Sequence, residues 1–165
     1  MRRADGGFAL VCLVVLVGCT PAEPAAVLPE PATQETRPSG PQLTFVQAEP
    51  GDVAAQVMGF MAEARADARV PLVYVGATWC EPCQYFHRAA VAGELDDELP
   101  RMALLEFDRD HDGDRLEAAG YGSRMIPLFV VPDDAGRGTE RRIEGSIHGP
   151  TSPQQIAPRL RAIVE

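Results

Sequence analysis

From residue 42 onward, short runs of β-branched and aromatic residues alternate with stretches whose apolar positions recur at helical spacing. Leu43-Thr44-Phe45-Val46 reads as a short strand. Asp52 is a ready N-cap for a helix whose apolar positions Val53, Val57, Phe60, Met61 and Ala64 share one face. Val70 to Ala77 is a continuous apolar run, short enough for a buried strand. The next helix is predicted to begin at the cysteines near residue 80 and to run through Phe86, Ala90 and Val91. Met102 to Phe107 is predicted as a further strand, followed by an acidic loop and a short helix near Leu116 to Ala119. Leu128 to Val131 and Arg141 to Glu144 flank Asp133-Asp134-Ala135-Gly136-Arg137-Gly138, a hairpin loop by composition. Ser152-Pro153-Gln154-Gln155 predicts a helix start with a capping box, while Pro158 should kink that helix or delay its beginning. The order is α/β, with a central mixed sheet of four to five strands flanked by helices.

Upstream the pattern changes. Phe8 to Val17 is an unbroken apolar run of ten residues behind Arg2 and Arg3. As a helix it would rise about 15 Å, half of a bilayer core, which suits the apolar stretch of an export signal better than a membrane span. Residues 20–41 contain prolines 21, 24, 29, 31, 38 and 41 and have no apolar periodicity. Proline withholds backbone donors, so these residues are expected to form a tether or spacer of at most about 70 Å rather than a packed element.

Composition narrows the chemistry. Of 165 residues, 24 are acidic and 15 basic, a net charge of −9 that argues against a nucleic-acid partner. Every basic residue is arginine, and asparagine is missing as well. That excludes a phosphate-loop lysine, a Schiff-base lysine, a Cys-His-Asn triad and N-linked glycosylation. HExxH and GxSxG are likewise absent. Cysteine chemistry survives these exclusions.

Four cysteines are available. Leu16-Val17-Gly18-Cys19 resembles the cleavage motif of bacterial lipoproteins, and that resemblance implies a signal peptide over residues 1–18 and a lipidated Cys19. An ordinary signal peptide that happens to contain cysteine is the alternative. Cys12 would leave with the signal, and the mature chain would carry −10 after losing Arg2, Arg3 and Asp5. Thr20 follows Cys19, so the aspartate of the best-known inner-membrane retention signal is not there. The expected organisation is a signal peptide at 1–18, a lipidated Cys19 with its proline-rich tether at 19–41, and a folded domain at 42–165.

Cys80 and Cys83 remain, in Trp79-Cys80-Glu81-Pro82-Cys83. Between a strand and a helix this spacing has a physical logic. Cys80 would sit at a helix N-terminus, where unpaired N–H groups and the dipole favour thiolate. Cys83, one turn on, could resolve a mixed disulfide from the same side. Half of a zinc site competes poorly, because there is no second cysteine pair and the histidines are scattered. A purely structural disulfide would close too short a loop to stabilise much.

With these residues the chain resembles the thioredoxin superfamily over residues 43 to 165. The resemblance rests on Leu72-Val73-Tyr74-Val75-Gly76-Ala77, the WCEPC motif, and Met125-Ile126-Pro127 before Leu128-Phe129-Val130-Val131. It implies a thioredoxin fold and a cis Pro127 facing the dithiol, with the Ile126 backbone pairing extended substrate. Trp79, Glu81, Pro82, Ile126 and Pro127 would then shape a substrate groove around a catalytic Cys80 and a resolving Cys83. Glu-Pro between the cysteines and a membrane anchor are similar to reducing thioredoxins of cytochrome c maturation; small exported thioredoxin-like domains match as well. Two positions depart from the pattern. The buried aspartate of thioredoxin corresponds to Tyr74 and its lysine partner to Leu104, which leaves Glu106 and Glu81 as candidate proton acceptors for Cys83. Glu81 also places a negative charge beside Cys80, opposing the helix dipole.

Three further features stand beside this reading. Asp108-x-Asp110-x-Asp112-Gly113-Asp114 matches the opening of a calcium loop, but Ala119 occupies the position of the bidentate glutamate, so a solvated loop is expected. His87 could join Cys80 and Cys83 in a copper site of an exported metallochaperone. Glu94, Asp96, Asp97 and Glu98 read as a solvated turn. The expectation is an exported, lipid-anchored, monomeric thiol:disulfide oxidoreductase of the cell envelope or periplasm. It would act on protein thiols and disulfides and need neither metal nor bound cofactor, since the dithiol itself carries two electrons. A copper metallochaperone and a redox-inert tethered binding module are the alternatives.

Overall fold

The structure is a computed structural model and describes residues 43–165. The expected signal peptide, Cys19 and the proline-rich segment lie outside the described residues. The described chain runs β1 (Leu43–Gln47), α1 (Val53–Ala66), β2 (Val70–Gly76), α2 (Glu81–Val91), β3 (Met102–Asp108), α3 (Arg109–Ala118), β4 (Leu128–Pro132), β5 (Gly138–Glu144), α4 (Ser152–Val164). The sheet order is β1-β3-β2-β4-β5. β1 and β2 pair parallel with β3, while β4 is antiparallel to both β2 and β5. This is the expected α/β architecture, a five-stranded mixed sheet with four helices.

Both faces of the sheet are covered, which is why the central strands are continuous apolar runs. Pleating sends alternate side chains to opposite faces. Leu72, Tyr74, Met102, Leu104 and Phe129 pack with Phe86 of α2 and Ile156 and Leu160 of α4. Val73, Val75, Leu105, Phe107, Leu128 and Val130 pack on the other face with Val57, Phe60 and Met61 of α1 and Leu116 of α3. Asp52 caps α1 as its position predicts, its side chain accepting from the Ala55 N–H at 2.7 Å, and the buried residues of α1 are the five of the apolar stripe. Among the described residues no helix is long and apolar enough to cross a membrane.

The structure corrects the sequence reading in three places. The acidic stretch after Asp108 is not a loop: α3 starts at Arg109, with the Asp108 carboxylate accepting from the Asp110 and His111 N–H groups. Acidic side chains in a first turn complement the positive end of the helix, and this offsets the poor helix propensity of Asp and Gly. The Asp112 carboxylate is committed to the Asp108 N–H and, at 2.8 Å, to Arg115, so these residues do not converge as a cation loop. The capping box at Ser152 does not form either. Thr151 is the N-cap and makes no side-chain cap bond, while the Gln155 amide is taken by Ser146 and Arg159. Finally, β5 begins at Gly138 rather than Arg141, in register with Pro132. Pro158 does not delay α4, which starts at Ser152 and holds Pro158 inside it on its exposed side. Glu94 to Glu98 form turns over buried Leu95 and Leu99, as their charge predicts.

Candidate active site

β2 delivers the chain to Trp79-Cys80, and α2 starts immediately after it. Cys80 is the N-cap residue of α2, with extended backbone, and Pro82 stands in the first turn, where no intrahelical donor is required. The Cys80 and Cys83 sulfurs are disulfide-bonded, with their Cα atoms 5.2 Å apart. Cys80 Sγ also accepts the Cys83 backbone N–H at 3.3 Å. A sulfur held at the positive end of a helix, already accepting one of its orphan donors, is one whose thiolate the surroundings favour.

The two cysteines are nearly buried, and they border different spaces. Cys80 lines a surface groove of about 380 Å³ together with Trp79, Glu81, Pro82 and Ile126. Four of the five expected groove residues are therefore brought together. Pro127 is not a lining residue: it is joined to the lining residue Ile126 by a cis peptide bond, as the resemblance implies, and its carbonyl accepts the Gly145 N–H at 2.9 Å. The sequence reading missed the far wall, formed by Arg109, Arg124, Met125, Gly145, Ser146 and His148. His148 Nδ1 lies 2.8 Å from Glu81 Oε2. Nothing in the sequence marks a contact between residues so far apart along the chain. Trp79 is 61% exposed and Met125 57%, so the groove has an apolar rim. The Trp79 indole N–H donates to Asp110 at 2.7 Å, which pins the ring beside α3.

Cys83 lines a different space, a cavity of about 560 Å³ that it shares with Tyr74, His87 and Glu106. The register pairs Tyr74 with Glu106 on adjacent strands, both on the α2 face of the sheet. The Tyr74 hydroxyl reaches the space beside Gly76, where a Cβ would stand only 2.7 Å from it. Burial pushes the Glu106 carboxyl above its usual range; the neighbouring His87 and a hydrogen bond from Gln47 act the other way. Burial and the charge of Glu106 raise the Tyr74 phenol, which stays protonated. Of the two acids singled out by sequence, Glu106 shares the cavity of Cys83, whereas Glu81 faces the groove and His148.

His87 is one turn beyond Cys83, but its ring stacks on Phe45 with centroids 4.2 Å apart, and its Nε2 is 4.0 Å from Glu106. Among the described residues no group of three or more His, Cys, Asp or Glu side chains is arranged to hold a metal ion. The set Cys80, Cys83 and His87 does not converge.

No protein-family model matches this chain, and no curated protein matches it. Among solved structures, a mutant thioredoxin from Halobacterium salinarum is 21% identical, covering 78% of this chain and 97% of that one at a TM-score of 0.43. Trichomonas vaginalis thioredoxin is 20% identical, covering 74% and 99% at 0.44. A disulphide isomerase from Xylella fastidiosa is 19% identical, covering 69% and 84% at 0.42.

Proposed function

We propose that this chain is an exported thiol:disulfide oxidoreductase, anchored to a membrane through a lipid on Cys19, that reduces disulfides in proteins of the cell envelope. The observation that carries the reading is the Cys80–Cys83 pair, with Cys80 Sγ at the N-terminus of α2 on a groove and Cys83 behind it. In the reduced protein, the Cys80 thiolate attacks one sulfur of a partner disulfide. A Cys80–partner bond forms and the second partner sulfur leaves as thiolate. Cys83 then loses its proton to Glu106 and attacks Cys80 Sγ. This re-forms the Cys80–Cys83 bond and releases the partner as a dithiol, two electrons having passed to it. Trp79, Glu81, Pro82 and Ile126 line the surface on which the partner lies, with Pro127 joined to Ile126 by the cis bond. No bound cofactor is required. Export and anchoring are supported by the apolar run Phe8 to Val17 and by Leu16-Val17-Gly18-Cys19.

Trapping tests the reading. Cys83→Ser should accumulate mixed disulfides with envelope proteins, because the resolving sulfur is gone, and Cys80→Ser should accumulate none. If the Cys83→Ser protein captures nothing under conditions where it is exported and folded, the enzymatic reading fails. Direction is read from the reduction potential of the pair. A value near −270 mV, that of thioredoxin, supports a reductant, and one near −120 mV marks an oxidant instead.

A further inference from the structure

The groove beside Cys80 is not uniform in charge. Among its lining residues Glu81 is occupied by His148. Arg109, from the first turn of α3, and Arg124, the residue before Met125, line it as well. Arg109 Nη1 donates to the Arg124 carbonyl at 3.1 Å, which ties this guanidinium to the groove wall. Among the described residues neither arginine has a carboxylate within ion-pair distance, although Arg65, Arg115 and Arg142 each do. Arg137, Arg141, Arg159 and Arg161, like Arg109, donate to backbone carbonyls. The adjacent acid, Asp110, is spent on the Trp79 indole. What sets Arg109 and Arg124 apart is their place: in a chain with 24 acidic and 15 basic residues, both line the groove that Cys80 lines. The exposed Trp79 and Met125 line the same groove as these arginines and Cys80.

We propose that this groove selects partner segments in which the disulfide cysteine has an apolar neighbour and an aspartate or glutamate within two residues, the apolar side chain lying on Trp79 and Met125 and the carboxylate meeting Arg109 and Arg124. The assignment rests on the thiol:disulfide reading and names its substrate class. A net charge of −9 repels acidic proteins at long range, but salt screens that repulsion beyond about 8 Å. The two arginines act at contact and impose a local preference that the overall charge would not suggest.

The test uses the reduced full-length protein and two disulfide peptides that differ only in one glutamate or glutamine, placed two residues from the cysteine. Each rate of reduction is divided by that of dithiothreitol on the same peptide, which removes the intrinsic effect of a nearby carboxylate on the disulfide. The glutamate peptide is expected to react about five-fold faster, the scale of two exposed ion pairs, and the ratio should shrink as salt is added. Arg109→Gln/Arg124→Gln should bring the ratio to one, and Arg124→Glu should turn the preference toward a lysine peptide. Equal normalised rates with the unaltered protein would overturn the assignment while leaving the redox reading intact, as would a preference that survives the double substitution. Failure to reduce either peptide would sink both.

Discussion

At the scale of single residues, Glu106 carries the most consequence. Its carboxyl is pushed up by burial in the folded chain and has its ordinary value when unfolded. The folded state therefore binds the proton more tightly. The stability this provides is full below the unfolded value and is lost as pH rises through the folded one. Above the folded value the protein bears the cost of an ionised, half-buried carboxylate. Glu106→Gln removes that cost and can still accept from Gln47, so its melting temperature should exceed that of the unaltered protein at pH 7, with the difference closing toward pH 4. The same substitution should slow the attack of Cys83 and erase the inflection that Glu106 gives the pH profile of that step. If stability changes alone, Glu106 is only a buried acid. The sequence reading reached this residue, together with Glu81, only through the thioredoxin resemblance, which puts Tyr74 and Leu104 where that family's charged pair stands. What separates it from Glu81 is geometry: the pleat puts Glu106 on the α2 face beside Cys83's cavity, and His148 draws Glu81 to the groove. Cys80, Cys83 and Ile126 were legible because local motifs fix their surroundings. Arg109, Arg124 and His148 were not, since loops distant in sequence bring them in.

Elements were legible where burial and periodicity agree. α1 has its cap and its apolar stripe in sequence, and both appear unchanged in the structure. β2 and β3 are apolar on both faces because helices cover both faces. The reading failed where tertiary contacts override propensity. α3 buries Leu116 alone and is built from residues that disfavour helix, held by the Asp108 cap and the acidic first turn. β5 extends to Gly138 because the backbone there touches Gly120; a Cβ on Gly138 would lie 2.2 Å from the Gly120 carbonyl oxygen, a closeness no pattern announces. α4 tolerates Pro158 because that residue is exposed, so water can satisfy the Gln154 carbonyl it leaves without a donor. Tolerance is not neutrality. Proline inside a helix is about 3 kcal/mol worse than alanine, and the stiffer unfolded chain returns only about 0.4–1 kcal/mol of that. Pro158→Ala should therefore stabilise the protein by about 2–2.6 kcal/mol, read as a higher urea midpoint with unchanged slope. An unaltered or lower midpoint would mean that the proline bend fits α4 to β4 and β5 better than a straight helix does.

At the scale of the whole molecule, charge and anchoring have to be reconciled. The body is acidic, and without residues 1–18 the net charge becomes −10. Such a body is repelled by anionic headgroups, so electrostatics cannot hold it at a membrane. A single acyl chain gives only marginal and reversible binding, so a stable anchor at Cys19 requires more than one chain. Two outcomes follow from that physics. The unaltered protein should fractionate with membranes, resist extraction by high salt and enter detergent, because the proposed lipid attachment is apolar. Cys19→Ser should appear in the soluble fraction, its Cys80–Cys83 pair still cycling, since the sheet, α2 and both spaces around the disulfide are assembled from residues after 42. Salt-sensitive attachment of the unaltered protein, or a Cys19→Ser form still bound to membranes, would remove the lipid from the account and require another segment to act as anchor. Retention at the surface would also matter to the chemistry. A dithiol confined by a tether of at most about 70 Å meets partners that emerge near the same membrane at a raised effective concentration. Release by Cys19→Ser should then lower the yield of mixed disulfides trapped by Cys83→Ser in cells while leaving peptide reduction by the purified protein unchanged.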